Sequence, residues 1–473
     1  MSLDADVCYQ ALLSRDARFD GKFFTAVTST GIYCRPVCPA RTPKRSNVRF
    51  YLCAAAAEEA GFRPCRRCRP ETAPWTPAWQ GSSATVARAM RWLEQGAIDS
   101  DNLVEVADRL GISERHLRRL FVSHLGTSPI AVARTRRVHL ARRLIDETRL
   151  PMTQIAAAAG FASLRNFNQA IRASFGASPS ELRARTREPR GGGGLRLQLT
   201  YRPPFAWDAL IRFFANRAIA GVEQVTEGSY RRTVTVGTSN GLLEVSPRRD
   251  RNQVEVTLEG LEASAIGAAI ERVRRLFDLG ADPLTIDGQL GDDPFLGPRI
   301  ARLPGLRVPG GWDGFEIAVR AVVGQQISVA AARTVLGRLV ARTGTRVDDH
   351  VWFPTPDRLA GADLDGMGLP RARVETLRRL ARAVADGEID FGLDDVPELA
   401  RRLCSLPGIG EWTAQYVALR ALGDPDVFLA GDLGVRRALA GDGGLPAPRE
   451  AEARAEAWRP WRSYAVMHLW LNS

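Results

Sequence analysis

Two close pairs of cysteines, Cys34-x3-Cys38 and Cys65-x2-Cys68, constrain the fold of this chain more than any other feature. Such pairs can converge on one tetrahedral centre, and four thiolates that leave no coordination position open are the donor set of a structural zinc site. The pairs lie among Arg and Pro rather than in apolar runs, so four buried free thiols are the poorer reading. Cys8, Cys53 and Cys404 lack such spacing and are expected in the core. The opening MSLDADVCYQ lacks the basic-then-apolar layout of a signal peptide, and no run of about 18 apolar residues is present to span a bilayer. A cytoplasmic protein with no membrane partner is expected. In a reducing compartment, clustered cysteines are metal ligands or nucleophiles rather than a disulfide framework.

At 473 residues the chain is too long for one core, and domains of about 100 to 150 residues imply three or four of them. Two stretches break the apolar periodicity: the Pro-rich residues 71–83 and RTREPRGGGG at 185–194. Charge is distributed unevenly, with 30 Lys+Arg against 17 Asp+Glu in residues 1–190 and 35 against 36 in the remainder. The net +12 therefore sits in the N-terminal part and points to a polyanionic partner there. Lysine occurs only as Lys22 and Lys44. GC-rich coding accounts for Arg over Lys but not for the asymmetry.

Between the two breaks lies a degenerate repeat, LGISERHLRRLF…HLGTSP (110–129) and AGFASLRNFNQAI…SFGASP (159–179). Each copy reads as helix, turn, helix. The first helices, 103–110 and 153–159, end at Gly111 and Gly160, where a positive φ costs least. The second helices present Arg115, His116 and Arg119 in one copy and Arg165, Asn168 and Arg172 in the other, at spacings that share a helix face. Two DNA-reading modules set in successive major-groove segments are expected; a helical bundle with a charged face is the alternative.

After the second break, LRLQLTYRPPF and SYRRTVTVGTSNGLLEVSPRRDRNQVEVTLEG alternate polar and apolar residues as antiparallel strands do, and from about Trp312 the pattern becomes helical. The expected architecture is multidomain: a small α/β zinc module (1–80), an all-α tandem helix-turn-helix (81–188), a Gly-rich linker (189–194), an α+β antiparallel-sheet domain (195–311) and an all-α domain (312–473).

The stretch TSTGIYCRPVCPARTPKRSNVRFYLCAAAAEEAGFRPCRRCRPE (28–71) closely resembles the methyl-accepting zinc domain of the Ada family. The resemblance implies that Cys34 is both a ligand of a single zinc ion, with Cys38, Cys65 and Cys68, and the nucleophile that takes a methyl group from a DNA methylphosphotriester. Zinc keeps a thiol deprotonated at neutral pH, which makes this chemically sound. Methylating one of four thiolates changes the centre from −2 to −1. One charge at ~6 Å from a phosphate, at an effective dielectric of ~20, is worth about 3 kcal/mol before salt screening. Arg35, Arg41 and Arg45 would then meet phosphates near the centre, or serve as ordinary surface arginines. Tandem helix-turn-helix units after such a domain resemble AraC-type regulators, which implies an operator in double-stranded DNA and RNA polymerase as partners. Ada's second methyltransferase carries Pro-Cys-His-Arg; that tetrapeptide is absent and no cysteine follows Cys404, which excludes alkylguanine transfer.

LPGIGEWTAQYVALRAL (406–422) places Gly408 and Gly410 between two helices, where bare backbone N–H groups can approach a phosphate. Asp432 follows in VFLAGDLGVRRAL at the start of a helical pattern, either as an N-cap or as a functional carboxylate. The combination resembles the helix-hairpin-helix DNA glycosylases, and 195–473 is similar to their AlkA-type 3-methyladenine branch, including RPPFAWDALIRFFANRAI, AVRAVVGQQISVA and AEAWRPWRSYAVMHLW. The resemblance implies that Asp432 is the catalytic carboxylate and that Phe213, Trp412, Tyr416 and Trp470 line the base pocket, with alkylated DNA as substrate and no cofactor. A purine methylated on a ring nitrogen is cationic, leaves readily and is attracted to aromatic faces. Trp458 and Trp461 are read as core.

Three positions depart from that family. Gln326 stands where an apolar wedge is expected to fill the gap left by a flipped base, with Ile327 as the neighbouring candidate; Leu433 replaces an aromatic beside Asp432. Trp412 stands where bifunctional relatives carry a Schiff-base lysine, and no lysine follows Lys44, so a monofunctional glycosylase is expected.

Overall fold

Helices and short strands make up the fold, which the computed structural model describes for residues 4–65, 67–73, 85–86, 89–90, 92, 103–185, 194–392, 396–440 and 444–471. The chain forms two compact units. One comprises Met1–Pro203, Arg248–Glu271 and Leu279–Ala281; the other comprises Pro204–Pro247, Arg272–Asp278 and Asp282–Ser473. The two breaks read at 71–83 and 185–194 lie mostly outside the described residues.

The first unit begins with α1 (Ala5–Ser14), capped by the Asp4 carboxylate. Strands β1 (Phe24–Val27), β2 (Ile32–Cys34), β3 (Val48–Tyr51) and β4 (Arg63–Pro64) form a sheet in the order β3-β1-β2-β4, and α2 (Ala54–Glu59) connects the last two. β1 is antiparallel to β2 and β3, whereas β4 runs parallel to β2 with Tyr33 opposite Pro64. The apolar core of this module is little more than Phe24, Ala26, Tyr33, Ala54, Ala57 and Ala73. So small a core ordinarily needs a metal or a partner surface to stay folded.

The repeat follows as α3 (Leu103–Arg109) and α4 (Glu114–Leu125), the 19-residue α5 (Pro129–Glu147), then α6 (Met152–Ala158), α7 (Leu164–Phe175) and α8 (Pro179–Ala184). Gly111 and Gly160 adopt φ of +70° and +77°, the left-handed turn that only glycine enters without strain. Ser113 and Ser163 then accept the amides of His116 and Asn166 at 3.3 and 3.2 Å and so start the second helices. Each such cap contributes about 1 kcal/mol. Leu117 and Phe121 of α4, and Phe167 and Ile171 of α7, are spaced i, i+4 and fully buried. That packing turns Arg115, Arg119, Arg165, Asn168 and Arg172 outward, while His116 is half-buried. Within this unit, strand Leu195–Thr200 also pairs antiparallel with strand Gln253–Glu259.

In the second unit, strands Glu223–Val225 and Tyr230–Val236 form an antiparallel meander with strand Ser239–Arg248, of which all but Arg248 belongs to this unit. Its functional helices are α9 (Trp207–Ala215), α10 (Gly314–Val323), α11 (Val329–Thr343), α12 (Arg371–Ala385), α13 (Glu411–Val417), α14 (Leu433–Leu439) and α15 (Arg462–Leu471). Leu339, Leu377, Leu399 and Val417 meet in one apolar core. Antiparallel strands followed by helices, after an α/β cysteine module and a helical repeat, is the architecture read from the sequence. Trp458 and Trp461 are core residues as expected. Cys404 is not: it ends helix Val396–Cys404 exposed, because Leu399 and Leu403 already carry the buried face of that helix. Cys8 is buried and Cys53 half-buried.

Candidate metal centre and candidate active site

The parallel pairing of β2 with β4 brings the two cysteine pairs together: Cys34 ends β2, and the Cys65 amide donates to the Tyr33 carbonyl at 3.0 Å just after β4. The turn that returns Cys38 is closed by its amide on the Arg35 carbonyl at 3.1 Å. All four sulfurs lie within 4.8 Å of one another, and those of Cys38 and Cys65 are 3.9 Å apart. A tetrahedral zinc with bonds of about 2.3 Å needs sulfurs about 3.8 Å apart, so the set fits the ion. The four thiols, hydrogen-bonded to one another, perturb each other in opposite directions, Cys34 and Cys68 upward and Cys38 and Cys65 downward, a competition for protons that a divalent cation removes. Cys38, Cys65 and Cys68 are buried and Cys34 is half-buried.

Beside Cys34 is a groove of about 560 Å³, lined among others by Arg41, Arg63, Arg67, Ser174 and Phe175. The three arginines named in advance are placed differently from one another. Arg41 lines the groove. Arg45 stacks on Tyr9 and Phe50, its guanidinium carbon 5.7 and 5.5 Å from the ring centres. Arg35 is buried, paired with Asp20, and donates to the Cys68 carbonyl at 3.2 Å. It braces the cysteine loop from inside instead of standing free at the surface. Arg63 and Arg67 were missed, although the basic run RPCRRCRP (63–70) around the second pair was the available signal.

In the second unit Asp432 is the N-cap of α14, accepting the Val435 amide at 2.9 Å through Oδ1. It is also more than a cap. The indole Nε1 of Trp412 on α13 donates to Oδ2 at 2.9 Å, and that of Trp470 on α15 donates to Oδ1 at 3.0 Å. Three donors from three helices fix the carboxylate at a cavity of about 390 Å³ whose walls include Trp412, Tyr416 and Trp470. Trp412 and Tyr416 stack at 5.6 Å, and Tyr416 meets Trp470 at 6.2 Å.

Phe213 departs from its expected place on the pocket wall. It is buried behind Trp470, with ring centres 6.4 Å apart, while the guanidinium carbons of Arg217 and Arg420 lie 3.7 and 4.9 Å from its ring centre. Arg217 and Arg420 line the cavity, and Phe213 does not. Arg420 also donates to the Tyr416 hydroxyl at 2.9 Å. Burial raises the Tyr416 phenol, but Arg420, Arg217 and Arg320 together bring it below its ordinary value. Glu223, Arg232, Glu316 and Arg320 form a buried ion-pair cluster on the same cavity wall, with Arg232 and Glu316 2.6 Å apart. None of these charged residues was legible in advance.

Gly408 takes φ +93°, and a Cβ there would lie 2.0 Å from Thr376 Oγ1 on α12, so the hairpin admits only glycine. Gly410 caps α13. The turn before α11 leaves Gln326 exposed at φ +58°, with Ile327 beside it exposed and lining the cavity. Leu433 is exposed. Among the described residues no helix is long and apolar enough to cross a membrane.

Four family descriptions match the chain: the metal-binding domain of Ada over residues 7–71, a helix-turn-helix domain over 106–185, the AlkA N-terminal domain over 196–313 and the HhH-GPD superfamily of base excision DNA repair proteins over 319–463. The chain is 43% identical to the "probable bifunctional transcriptional activator/DNA repair enzyme AlkA" of Mycobacterium tuberculosis, across 99% of this chain and 96% of that one. It is 39% identical to DNA-3-methyladenine glycosylase 2 of Escherichia coli K12 over 58% of this chain and 95% of that one. Its likeness to the 3-methyladenine DNA glycosylase of Archaeoglobus fulgidus, at TM-score 0.52 and 24% identity over 58% of this chain and 97% of that one, is one of fold alone. The zinc module, the paired helix-turn-helix units and the aspartate set between two indoles thus occur in one covalent order, and the chain belongs to the family of bifunctional transcriptional activator/DNA repair enzymes of the AlkA type.

Proposed function

We propose that the second unit hydrolyses the N-glycosidic bond of alkylated purines such as 3-methyladenine, with Asp432 as the catalytic carboxylate. The observation that carries this reading is the clamp of Trp412 and Trp470 on the two oxygens of Asp432. A carboxylate fixed from two sides can face a sugar that becomes cationic as the bond breaks, and it needs no reorganisation at that moment. The base departs with the bonding electrons, water adds to the sugar carbon, and the proton of that water is released. A base already alkylated needs little help to leave. Trp412, Tyr416 and Trp470 form the wall against which the flipped base stacks. No lysine follows Lys44 to form an imine with the resulting sugar, which supports a monofunctional enzyme.

The first unit serves as the sensor and regulator. The Cys34 sulfur attacks the methyl carbon of a methylphosphotriester, the carbon–oxygen bond breaks, and the phosphodiester departs with its negative charge restored. Zinc bound by Cys34, Cys38, Cys65 and Cys68 keeps that sulfur ionised. Arg41, with Arg63 and Arg67 in the same groove, meets the neighbouring phosphates, while Arg45 reaches them only at the rim. Arg115, Arg119, Arg165, Asn168 and Arg172 contact the operator in double-stranded DNA, and RNA polymerase is the downstream partner. The protein acts in the cytoplasm, and its domains fall at 1–80, 81–188, 195–311 and 312–473, joined by the linker 189–194.

One experiment addresses both halves. Full-length protein is mixed with DNA bearing methylated bases and methylphosphotriesters, and released bases and the intact protein mass are followed together. Free methylpurine and one added methyl per chain are expected. Base release without a mass change rejects the sensor, and the reverse rejects the enzyme.

A further inference from the structure

We propose that Gln325 is a positioning residue that locks the exposed turn before α11 to the phosphate-binding hairpin, so that gripping the backbone and extruding the base occur as one event. This inference rests on the glycosylase reading above. The side-chain amide of Gln325 donates both of its hydrogens across the site, to the Gly408 carbonyl at 3.0 Å and to Thr413 Oγ1 at 2.9 Å. Its direction is fixed, because a carbonyl can only accept and so must face the nitrogen.

Each end of that connection is itself constrained. Gly408 is held in its left-handed conformation against Thr376, whose hydroxyl donates to the Pro407 carbonyl at 3.0 Å. Thr413 is buried in the first turn of α13, next to Trp412, whose indole holds Asp432. At the other end, Gln326 stands exposed in the left-handed region, uncommon for a residue with a side chain, and Ser328 starts α11 by accepting the Ala331 amide at 3.2 Å. The peptide segment of Gln326 and Ile327 is therefore suspended between a capped helix and the Gln325 amide. A segment that enters a base stack has to be stiff, since a soft one yields instead of wedging. Gln325 supplies that stiffness from the same hairpin that takes the phosphate.

The test replaces Gln325 with Met, which keeps the length and removes both donors, in the full-length protein, with thermal unfolding to check the fold. Single-turnover release of 7-methylguanine is measured from a duplex with cytosine opposite and from one with a mismatched base opposite, where unpairing is already partly complete. The variant should be slower by about tenfold or more on the matched duplex and within about threefold of the parent on the mismatched one, the loss expected for two neutral hydrogen bonds needed only in extrusion. Thr413→Val, which removes one acceptor, should show the same selectivity at smaller size and serves if the first variant unfolds. Equal slowing on both duplexes, or none on either, overturns the proposal. A parent protein that releases no base from either duplex overturns the glycosylase reading and this inference with it.

Discussion

The hydroxyl of Tyr33, the residue immediately before Cys34, donates to Oε1 of Glu58 at 2.8 Å. The same carboxylate accepts from Thr135 Oγ1 at 2.8 Å and lies 3.2 Å from His139 Nε2, both on α5, the long helix between the two helix-turn-helix copies. A polar hub thus ties the strand that ends in Cys34 to the scaffold of the helix-turn-helix units. Glu58→Gln should keep one zinc and normal methyl uptake yet lower the stability of the first unit by about 1 to 3 kcal/mol, as expected when a buried charged acceptor is lost. Burial opposes ionisation of Glu58, but His139, Thr135 and Tyr33 outweigh it and hold the carboxyl below its usual range. Its contribution is therefore present above that range and disappears as pH falls through the lowered value. Thermal melts of parent and variant should converge in acid; a constant gap would show that Glu58 titrates normally.

Removal of zinc should unfold the cysteine module, since the apolar core there is so small and a four-thiolate site can contribute on the order of 10 kcal/mol or more. Elemental analysis should find one zinc per chain before chelation. Cys34→Ser should lose methyl uptake while base release stays near the parental rate. A methyl adduct that persists, or that maps to Cys8, Cys53 or Cys404, assigns the nucleophile elsewhere.

Asp432→Asn should slow base release by about 10²- to 10³-fold, the usual cost of removing one preorganised electrostatic contact. Asparagine caps helices as well as aspartate does, so α14 should persist. One indole, however, then faces an amide N–H in place of an oxygen. A loss of about 1 to 3 kcal/mol of stability is expected, as for a buried donor left without its acceptor. Affinity for damaged DNA should hold or rise, because a negative charge near the backbone has gone. Parental excision by a folded variant would leave Asp432 as a helix cap only.

His468 on α15 is buried, and burial together with Arg299 brings its imidazole down from 6.5 to about 4. The folded state keeps it neutral while the unfolded chain takes up a proton below about pH 6.5. Its contribution is complete above that pH and is lost progressively as pH falls toward 4, amounting to about 3 kcal/mol. Asp278 and Asp287, raised by burial to about 6, act in the opposite sense, since the folded state holds their protons more tightly. His468→Leu isolates the histidine: the stability of parent relative to variant, from denaturant melts, should fall between pH 7 and pH 4.5. A difference independent of pH would falsify the assignment.

The sequence by itself determined what depends on local spacing. Two cysteine pairs defined a metal set, Gly111 and Gly160 before serine caps defined two helix-turn-helix copies, and Pro-Gly-x-Gly defined a hairpin, because each is dictated by residues a few positions apart. It also carried the order of the four parts. What only the tertiary structure decided was which side chains meet across elements far apart in the chain. Asp432 reads locally as a helix cap and by resemblance as the catalytic carboxylate; two indoles, from α13 and α15, supply contacts beyond those of a cap. Arg35 and Phe213 resembled a phosphate ligand and a pocket wall, but Asp20 neutralises the one inside the fold, and Arg217, Arg420 and Trp470 cover the other. Gln325 and Gln326 carry the same amide, and the resemblance distinguishes only Gln326, by its place at the wedge position. The difference between them is that one residue's side chain turns inward to Gly408 and Thr413 while the next, at positive φ, turns out, and that alternation is set by packing rather than by composition.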